Sequence, residues 1–358
     1  MKRSMGVVLL AFTPVLAVAL GDVAHGQSLT KATFAVTTKD ISVGHAAHSS
    51  LPVALGYWKE EGLDLTVASV EGSTAGAQQL GSGNIQFVSL GPETVLIARE
   101  KGVPIKGFYV QARETIFRIV VPSDSAINEL KEFKGKTLGV NALSSGAVPY
   151  AKALLGSVGL EMDKDYKLLA VGTGAPGALA LRQRKVDALA LWDTLQAGME
   201  LRGFSFRRVS APIHDQLIGQ TIASSDAFLA EHPRAAVGFA RAIAKATLFG
   251  LTNPEAAVRI HWKLYPETKP QGVDEAKALK DAIHVFNSRF ALQRVDHRED
   301  KRYGFASRAQ WEKLKQIYTE QGVTKGAADV AQVYTDRLIA DINSFDKEAI
   351  IRAAKEWK

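Results

Sequence analysis

Small hydroxyl-bearing residues and glycines recur where short apolar runs give way to helical patterns. Such junctions occur six times, at residues 49–50, 72–74, 89–92, 144–146, 172–176 and 192–194. The unpaired N–H groups of a helix's first turn and the positive end of its dipole suit small anions. The junctions therefore predict a site that holds a small anion through backbone dipoles and hydroxyls, without a catalytic side chain.

The stretch from Lys134 to Ala147 shows this pattern most clearly. Residues 137–140 form a short apolar run typical of a buried strand, and the Ser/Gly turn at residues 144–146 leads into a helical pattern that continues through Leu155. If several such helix starts converge from two sheets, they form a cleft at the carboxyl ends of the strands, where ligands of open α/β sheets bind.

Alternating strands and helices extend from residue 31 to about residue 220 and predict an α/β fold with parallel sheets. Residues 64–90 align without a gap on residues 165–191, which predicts two similar halves; chance matching of apolar positions is the alternative. Residues 37–49 are expected to be a polar loop, and residues 51–63 a helix with Ser50 as its N-cap.

The length of 358 residues exceeds one ordinary core and predicts two lobes. Strand patterns near residues 118–121 and 220–223 are interpreted as crossings between them. We therefore assign residues 27–120 and 223–358 to lobe 1 and residues 121–222 to lobe 2. The region after residue 225 is mainly helical and is expected to pack on lobe 1.

Lys2 and Arg3 precede an apolar run at residues 6–20, so residues 1–26 are interpreted as a secretory signal peptide. The chain has no cysteine to carry a disulfide or a lipid anchor, and a free periplasmic protein is expected. The formal charge of +7 is spread along the chain, which argues against nucleic acid as a partner. The chain lacks a phosphate-binding glycine motif with its lysine, and no cofactor is predicted.

Several segments together resemble the periplasmic substrate-binding proteins of ABC importers for nitrate, taurine and alkanesulfonates. They are residues 51–65, 83–87, 130–140, 185–193 and 223–233, and the similarity covers about residues 31–250. The resemblance implies a two-lobed type II α/β fold in which each lobe is a mostly parallel sheet flanked by helices, with extra C-terminal helices. It also implies a monomer that binds a small molecule, delivers it to a membrane permease and performs no catalysis.

Positions carried over from this resemblance give the candidate ligand-binding residues Ser49, Ser50, Ser89, Ser144, Ser145, Thr173 and Asp193. Arg113, beside the first crossing, and Trp192, at the end of a predicted strand, are added for the chemistry of their side chains. Asp193 could pair with an amine of the ligand or cap the following helix. Arg113 could bind a sulfonate or carboxylate as a fork, or be a solvated surface residue. Trp192 could stack on the ligand or belong to the core.

The sequence thus predicts a periplasmic solute-binding protein that captures a sulfonate, nitrate or carboxylate and delivers it to an ABC permease. The alternatives are an enzyme on the same scaffold that acts on a small heterocycle, or a binding protein for a pyrimidine or aromatic ligand. His45 and His48 have a metal-like spacing, but no cysteine or carboxylate lies nearby in the sequence, and no metal site is predicted.

Overall fold

Two five-stranded sheets organise the chain. The computed structural model describes residues 29–357, so the predicted signal peptide lies outside the described residues. Within that range the strands are β1 (Thr30–Val36), β2 (Leu63–Ser69), β3 (Phe87–Leu90), β4 (Ile105–Val110), β5 (Phe117–Pro122), β6 (Thr137–Val140), β7 (Lys167–Ala170), β8 (Ala188–Trp192), β9 (Phe206–Val209) and β10 (Thr221–Ser225).

The two sheets have the same topology, and the fourth strand in each, β10 or β5, is the strand that follows a crossing of the chain from the other sheet. The first sheet is ordered β2-β1-β3-β10-β4 and the second β7-β6-β8-β5-β9. In the first sheet β10 runs antiparallel to both neighbours, and in the second sheet β5 does so. The remaining pairs are parallel, so four strands of each sheet point the same way. The predicted repeat is therefore a structural one, because β2 and β3 occupy the places that β7 and β8 occupy in the second sheet.

Two crossing segments, residues 111–116 and 217–220, connect the sheets and run side by side. Gln111 N–H donates to Gln220 O over 2.8 Å, and Gly219 N–H donates to Ala112 O over the same distance. A Cβ at Gly219 would lie 2.0 Å from Glu114 O, so the close approach of the two segments requires glycine there. The division into residues 27–120 with 223–358, and 121–222, stays a prediction.

Helices flank both sheets. The α-helices are α1 (Ser50–Ala54), α2 (Tyr57–Glu60), α3 (Ser73–Gly81), α4 (Pro92–Glu100), α5 (Ala147–Gly156), α6 (Ala175–Arg182), α7 (Asp193–Glu200), α8 (Asp226–Glu231), α9 (Pro233–Thr252), α10 (Pro254–Leu264), α11 (Glu275–Gln293), α12 (Arg308–Glu320), α13 (Val330–Val333), α14 (Ile339–Ile342) and α15 (Lys347–Glu356). Short 3₁₀ helices cover Val43–His48, Leu130–Phe133, Pro212–Gln216 and Pro266–Thr268.

The region from residue 37 to residue 63 differs from the prediction. Instead of a polar loop, Val43–His48 is a buried 3₁₀ helix. The predicted helix 51–63 is divided into α1 and α2 by Gly56, whose φ of 74° does not belong to a right-handed helix. Ser50 is the first residue of α1 rather than its N-cap, and Ser49 holds the cap position without a capping side-chain bond.

Aromatic packing joins the first sheet to the long helix α9. The rings of Phe87 and Phe239 stack with centroids 4.0 Å apart, and Trp58 stacks on the same Phe239 at 5.6 Å. Helix α9 is apolar and long enough to cross a membrane, but 67% of its most apolar window is buried inside the protein. It is therefore packed as a core helix.

The C-terminal helices do not pack on the first sheet alone, contrary to the prediction. Helix α11 lies against both the 3₁₀ helix Val43–His48 and α7, which directly follows β8 of the second sheet. Helix α12 packs against α4, which flanks the first sheet, and against α5, which flanks the second sheet. These helices thus bridge the two lobes, and this placement brings a residue of α11 into the cleft.

Candidate functional site

A small cavity of about 30 Å³ lies between the two sheets, which is room for one or two water molecules. Residues from the starts of helices in both halves, from the crossing segments and from α11 enclose it. They are Thr37, Thr38, His45, Ser73, Gly91, Pro92, Glu93, Thr115, Ile116, Phe117, Asn141, Ser145, Gly146, Trp192, Ile218, Gly219, Gln220 and Arg289. We call this space the inner cavity.

Glu93 brings a carboxyl group into the inner cavity from the first turn of α4. Its side chain is buried, with the residue only 2% exposed, and burial raises its pKa to about 7. Thr94 Oγ1 donates to Glu93 Oε1 over 3.2 Å. A Cβ at Gly146, ahead of α5, would lie 3.0 Å from the same oxygen, so the carboxyl group reaches across to the second sheet's helices.

Arg289 and Asp193 form a buried ion pair between α11 and α7. Arg289 Nε lies 2.8 Å from Asp193 Oδ2, and Nη2 lies 2.6 Å from Oδ1. Arg289 Nη1 donates to Gln220 Oε1 over 2.8 Å, in the second crossing segment. The two charged side chains are 1% and 3% exposed. Asp193 is thus the partner of a buried guanidinium, and its Oδ1 also accepts the N–H of Thr194 at 2.8 Å.

Several of the predicted anion-binding helix starts are already occupied by groups of the protein itself. The Glu93 carboxyl group lies at the start of α4, and the Asp193 carboxylate lies at the start of α7. At the start of α3, Thr74 N–H donates to Ser144 O over 3.3 Å. Fewer helix N–H groups therefore remain for an anion than the sequence pattern predicts.

His45 and His48 are buried beside the inner cavity. Burial, and then the charge of Arg289 and the neighbouring His261, lowers the pKa of His45 to about 3. Burial likewise holds the pKa of His48 well below its usual value. Both imidazoles are therefore neutral near pH 7. Within residues 29–357 no group of three or more metal-ligating side chains is found.

Three of the residues proposed from the sequence lie at the inner cavity or its rim. Ser145 and Trp192 line it. Ser144 lies at the rim, where its Oγ donates to Glu71 O over 3.1 Å and so connects the two halves. A Cβ at Gly72 would lie 2.2 Å from this Oγ, so the closed arrangement of the rim depends on glycine at residue 72.

The hydroxyls of Ser49, Ser50 and Ser89 are buried and bonded within the first half of the protein. Ser49 Oγ donates to His45 O over 2.8 Å, and Ser89 Oγ donates to Gln111 Oε1 over 2.8 Å. Ser50 Oγ lies 3.0 Å from Nδ1 of His261. None of the three hydroxyls lines the inner cavity. They support the elements around it.

Arg113 and Thr173 also lie away from the inner cavity. The Arg113 guanidinium donates to Asp300 O over 2.7 Å and to Arg302 O, so it fastens a C-terminal loop to the first crossing segment. Thr173 lines a second and larger cavity of about 700 Å³. This second space, which we call the outer chamber, opens to solvent and is lined by residues within the stretches 38–45, 173–176, 192–202 and 268–285 together with Asn141.

Sequence reasoning missed Glu93, Gln220 and Arg289. Glu93 follows a Gly-Pro pair at a predicted helix start, so its position carried a usable signal. Arg289 carried none, because it lies in a helix that was expected to pack on the first sheet alone and its partner Asp193 is 96 residues away.

The chain is similar to known binding proteins. A family model described as NMT1/THI5 like matches residues 47–257. The riboflavin-binding protein RibY of Chloroflexus aurantiacus is 20% identical over 259 residues, covering 71% of this chain and 70% of that protein. The aliphatic sulphonate binding protein SsuA of Escherichia coli superposes with a TM-score of 0.61 at 16% identity, covering 84% of this chain and 91% of that one. The nitrate-binding protein NrtA of Synechocystis PCC 6803 superposes with a TM-score of 0.64 at 13% identity, covering 92% of this chain and 99% of that one. These likenesses confirm the predicted two-lobed fold with added C-terminal helices.

Proposed function

Because the chain belongs to the NMT1/THI5-like family, we propose that it is a periplasmic solute-binding protein that encloses a small molecule between its lobes and delivers it to an ABC permease. The observation that carries this proposal is the inner cavity, which helix starts from both sheets line and which α11 closes. The fold shared with SsuA and NrtA, both named as periplasmic binding proteins, supports it.

The charges around the inner cavity favour a neutral or cationic ligand with N–H donors. Of its described lining residues, His45, Glu93 and Arg289 are ionisable. His45 is neutral, and Arg289 forms an ion pair with Asp193. Among these described lining residues, Glu93 is therefore the one whose charge a ligand would balance. A buried carboxylate is stabilised by a cation or by strong hydrogen-bond donors.

Two aromatic residues of the lining favour a planar ligand. Phe117 and Trp192 both line the inner cavity, and aromatic rings offer faces on which a heterocycle or amidine can stack. Because the cavity of about 30 Å³ has room for only one or two water molecules, such a ligand requires the lobes to move further apart than in this arrangement. RibY is named as a riboflavin-binding protein, and riboflavin has a planar, largely neutral ring system with a ring N–H, which agrees with this ligand class. The proposal therefore takes up the pyrimidine or aromatic alternative that the sequence left open.

An anion of the sulfonate, nitrate or carboxylate type is the second candidate. The guanidinium of Arg289 and the turn at Ser145 both line the inner cavity and could contact an oxyanion. An anion would require Glu93 to be protonated, because two negative charges repel each other in a buried site. The two candidates thus predict opposite effects of pH on affinity.

Thermal unfolding with defined ligands tests the ligand class. We expect benzamidine or 4-aminopyrimidine to stabilise the protein, by about 2.7 kcal/mol at roughly one hundred times the dissociation constant. The variant Glu93→Gln should lose most of the benzamidine effect, whereas Glu231→Gln, at an exposed position on α8, should keep it. Stabilisation by taurine, nitrate or acetate but not by either planar ligand would favour the second candidate instead.

Delivery without chemical change separates a transport protein from an enzyme on this scaffold. We propose that the protein is not an enzyme, in keeping with the binding proteins that share its fold. A bound ligand should be recovered with its mass unchanged after long incubation, and deletion of the gene should abolish uptake of that ligand. A product of altered mass would support the enzyme, and normal uptake in the deletion strain would exclude the transport role.

A further inference from the structure

We propose that the outer chamber is the second half of the ligand site and that it holds an apolar body attached to the ligand's polar head. The inference rests on the proposed solute-binding function. It extends that function by assigning the ligand to the class of elongated amphipathic solutes, whose head lies near Glu93 and whose body lies in the chamber that residues of α7 and α11 line.

The two spaces adjoin each other. Thr38, His45, Asn141 and Trp192 line both of them, so only these side chains separate a group in one space from a group in the other. Asn141 Oδ1 is buried and, within residues 29–357, has no hydrogen-bond partner. Because a buried acceptor without a partner is costly, this oxygen is available to a donor on a ligand that spans both spaces.

The outer chamber has the size of a small-molecule site, and part of its lining is apolar. Its volume of about 700 Å³ lies in the range of small-molecule sites, about 300–1,000 Å³. Helix α11 contributes Ala278, Ala282 and Val285 to the lining, and Leu195 of α7 and Leu201, which follows α7, add two further apolar side chains. The charged residues Lys39, Asp40, Arg202, Lys277 and Asp281 also line the chamber, so the apolar side chains form one part of its lining. A nitrate or taurine molecule in the inner cavity would leave this space unfilled.

Exposed apolar side chains mark the mouth of the outer chamber. Leu201 on the α7 side is 39% exposed, and Val273, in the loop before α11, is 43% exposed. Both side chains line the chamber. An apolar ligand body would remove part of their surface from water, which is a source of affinity that the inner cavity does not offer.

Gly198 provides a way to fill the chamber without disturbing the fold. It lies within α7 and lines the chamber, and a Cβ placed there would have no atom within 4 Å. Gly198→Leu should therefore fold normally and unfold at the wild-type temperature or above, since leucine favours a helix more than glycine does. Glu200→Leu adds the same side chain at an exposed position of α7 outside the chamber and is the matched control.

Titration with the neutral fluorescent probe N-phenyl-1-naphthylamine tests the proposal on the purified full chain. We expect the wild type and Glu200→Leu to bind the probe with enhanced fluorescence, and Gly198→Leu to bind it at least about tenfold more weakly. If the wild type does not bind the probe, or if Gly198→Leu binds it equally well, the outer chamber does not hold an apolar body.

A second measurement separates this inference from the proposed function. In a series of n-alkylamines from propylamine to octylamine, the affinity of the wild type should rise up to about fourfold per buried methylene, and Gly198→Leu should abolish the rise. If the affinity for the amines does not depend on their length, the outer chamber does not hold the ligand body, but the proposed amine head group is supported. Probe binding that depends on Gly198, without amine binding, would refute the head-group assignment alone.

Discussion

Replacing Glu93 by glutamine should change how the stability of the protein depends on pH. The carboxyl group is buried, and burial raises its pKa from 4.5 to about 7. Each pKa unit corresponds to about 1.4 kcal/mol, so the ionised carboxylate costs the folded state about 3 kcal/mol relative to the unfolded chain. Glutamine is nearly isosteric and cannot ionise, so the variant is free of this cost.

The sign of the effect follows from the raised pKa. Below about pH 4.5 the carboxyl group is neutral in both states, and the wild type carries no penalty. Between about pH 4.5 and 7 the unfolded chain ionises first, and the wild type loses stability relative to the variant. Above about pH 7 the carboxyl group is ionised in both states, and the deficit of about 3 kcal/mol stays constant.

Chemical denaturation of both proteins at a series of pH values measures this difference. We expect the unfolding free energies of the wild type and Glu93→Gln to agree near pH 4 and to separate by about 3 kcal/mol near pH 8, with the variant more stable. Glu231→Gln, at an exposed position, should follow the wild type throughout. Parallel curves for the wild type and Glu93→Gln would show that Glu93 ionises freely in the folded state and would refute the reasoning.

Three further predictions concern the same cleft. Asp193→Asn leaves the buried charge of Arg289 without its partner and should lower the unfolding free energy by about 3–5 kcal/mol, whereas Asp193→Leu combined with Arg289→Met should cost less; equal losses in denaturant titrations would contradict this. Gly72→Ala should hold the lobes apart, because residue 72 has a φ of 95° and its Cβ would lie 2.2 Å from Ser144 Oγ; small-angle X-ray scattering should show a larger radius of gyration than for the wild type, and an unchanged radius would argue against it. The affinity for benzamidine should fall about tenfold per pH unit below about pH 7 in the wild type and stay flat in Glu93→Gln, because protonation removes the carboxylate charge; calorimetric titration measures it, and tighter binding at low pH would indicate the anion.

Much of the architecture could be predicted from the sequence, because it depends on local patterns. Strand β6 and helix α5 lie within a residue or two of their predicted bounds. The repeat of residues 64–90 at 165–191 was visible because both segments alternate strand and helix with the same spacing. The segments predicted as crossings, near residues 118–121 and 220–223, fall on strands β5 and β10, and the crossing segments themselves, residues 111–116 and 217–220, come just before these strands.

The interior of the site could not be predicted in the same way. The ion pair of Asp193 and Arg289 joins residues 96 positions apart, and neither has a local pattern that distinguishes it from a helix cap or a surface charge. The sequence also shows where a helix starts but not whether a protein carboxyl group already occupies that start, as Glu93 does in α4. The sequence therefore indicated a ligand cleft but not the charge that the cleft presents.

The way the strands are shared between the sheets also predicts an order of folding. The second sheet is built from one uninterrupted stretch, β5 to β9, whereas in the first sheet β3 and β4 are joined only through β10. The second sheet can therefore form before the first, although its residues are synthesised later than β1 to β4. The cleft is completed last, when α11 packs and Arg289 pairs with Asp193. Pulse-labelling hydrogen exchange during refolding should accordingly protect the amide of Leu138 before that of Val110.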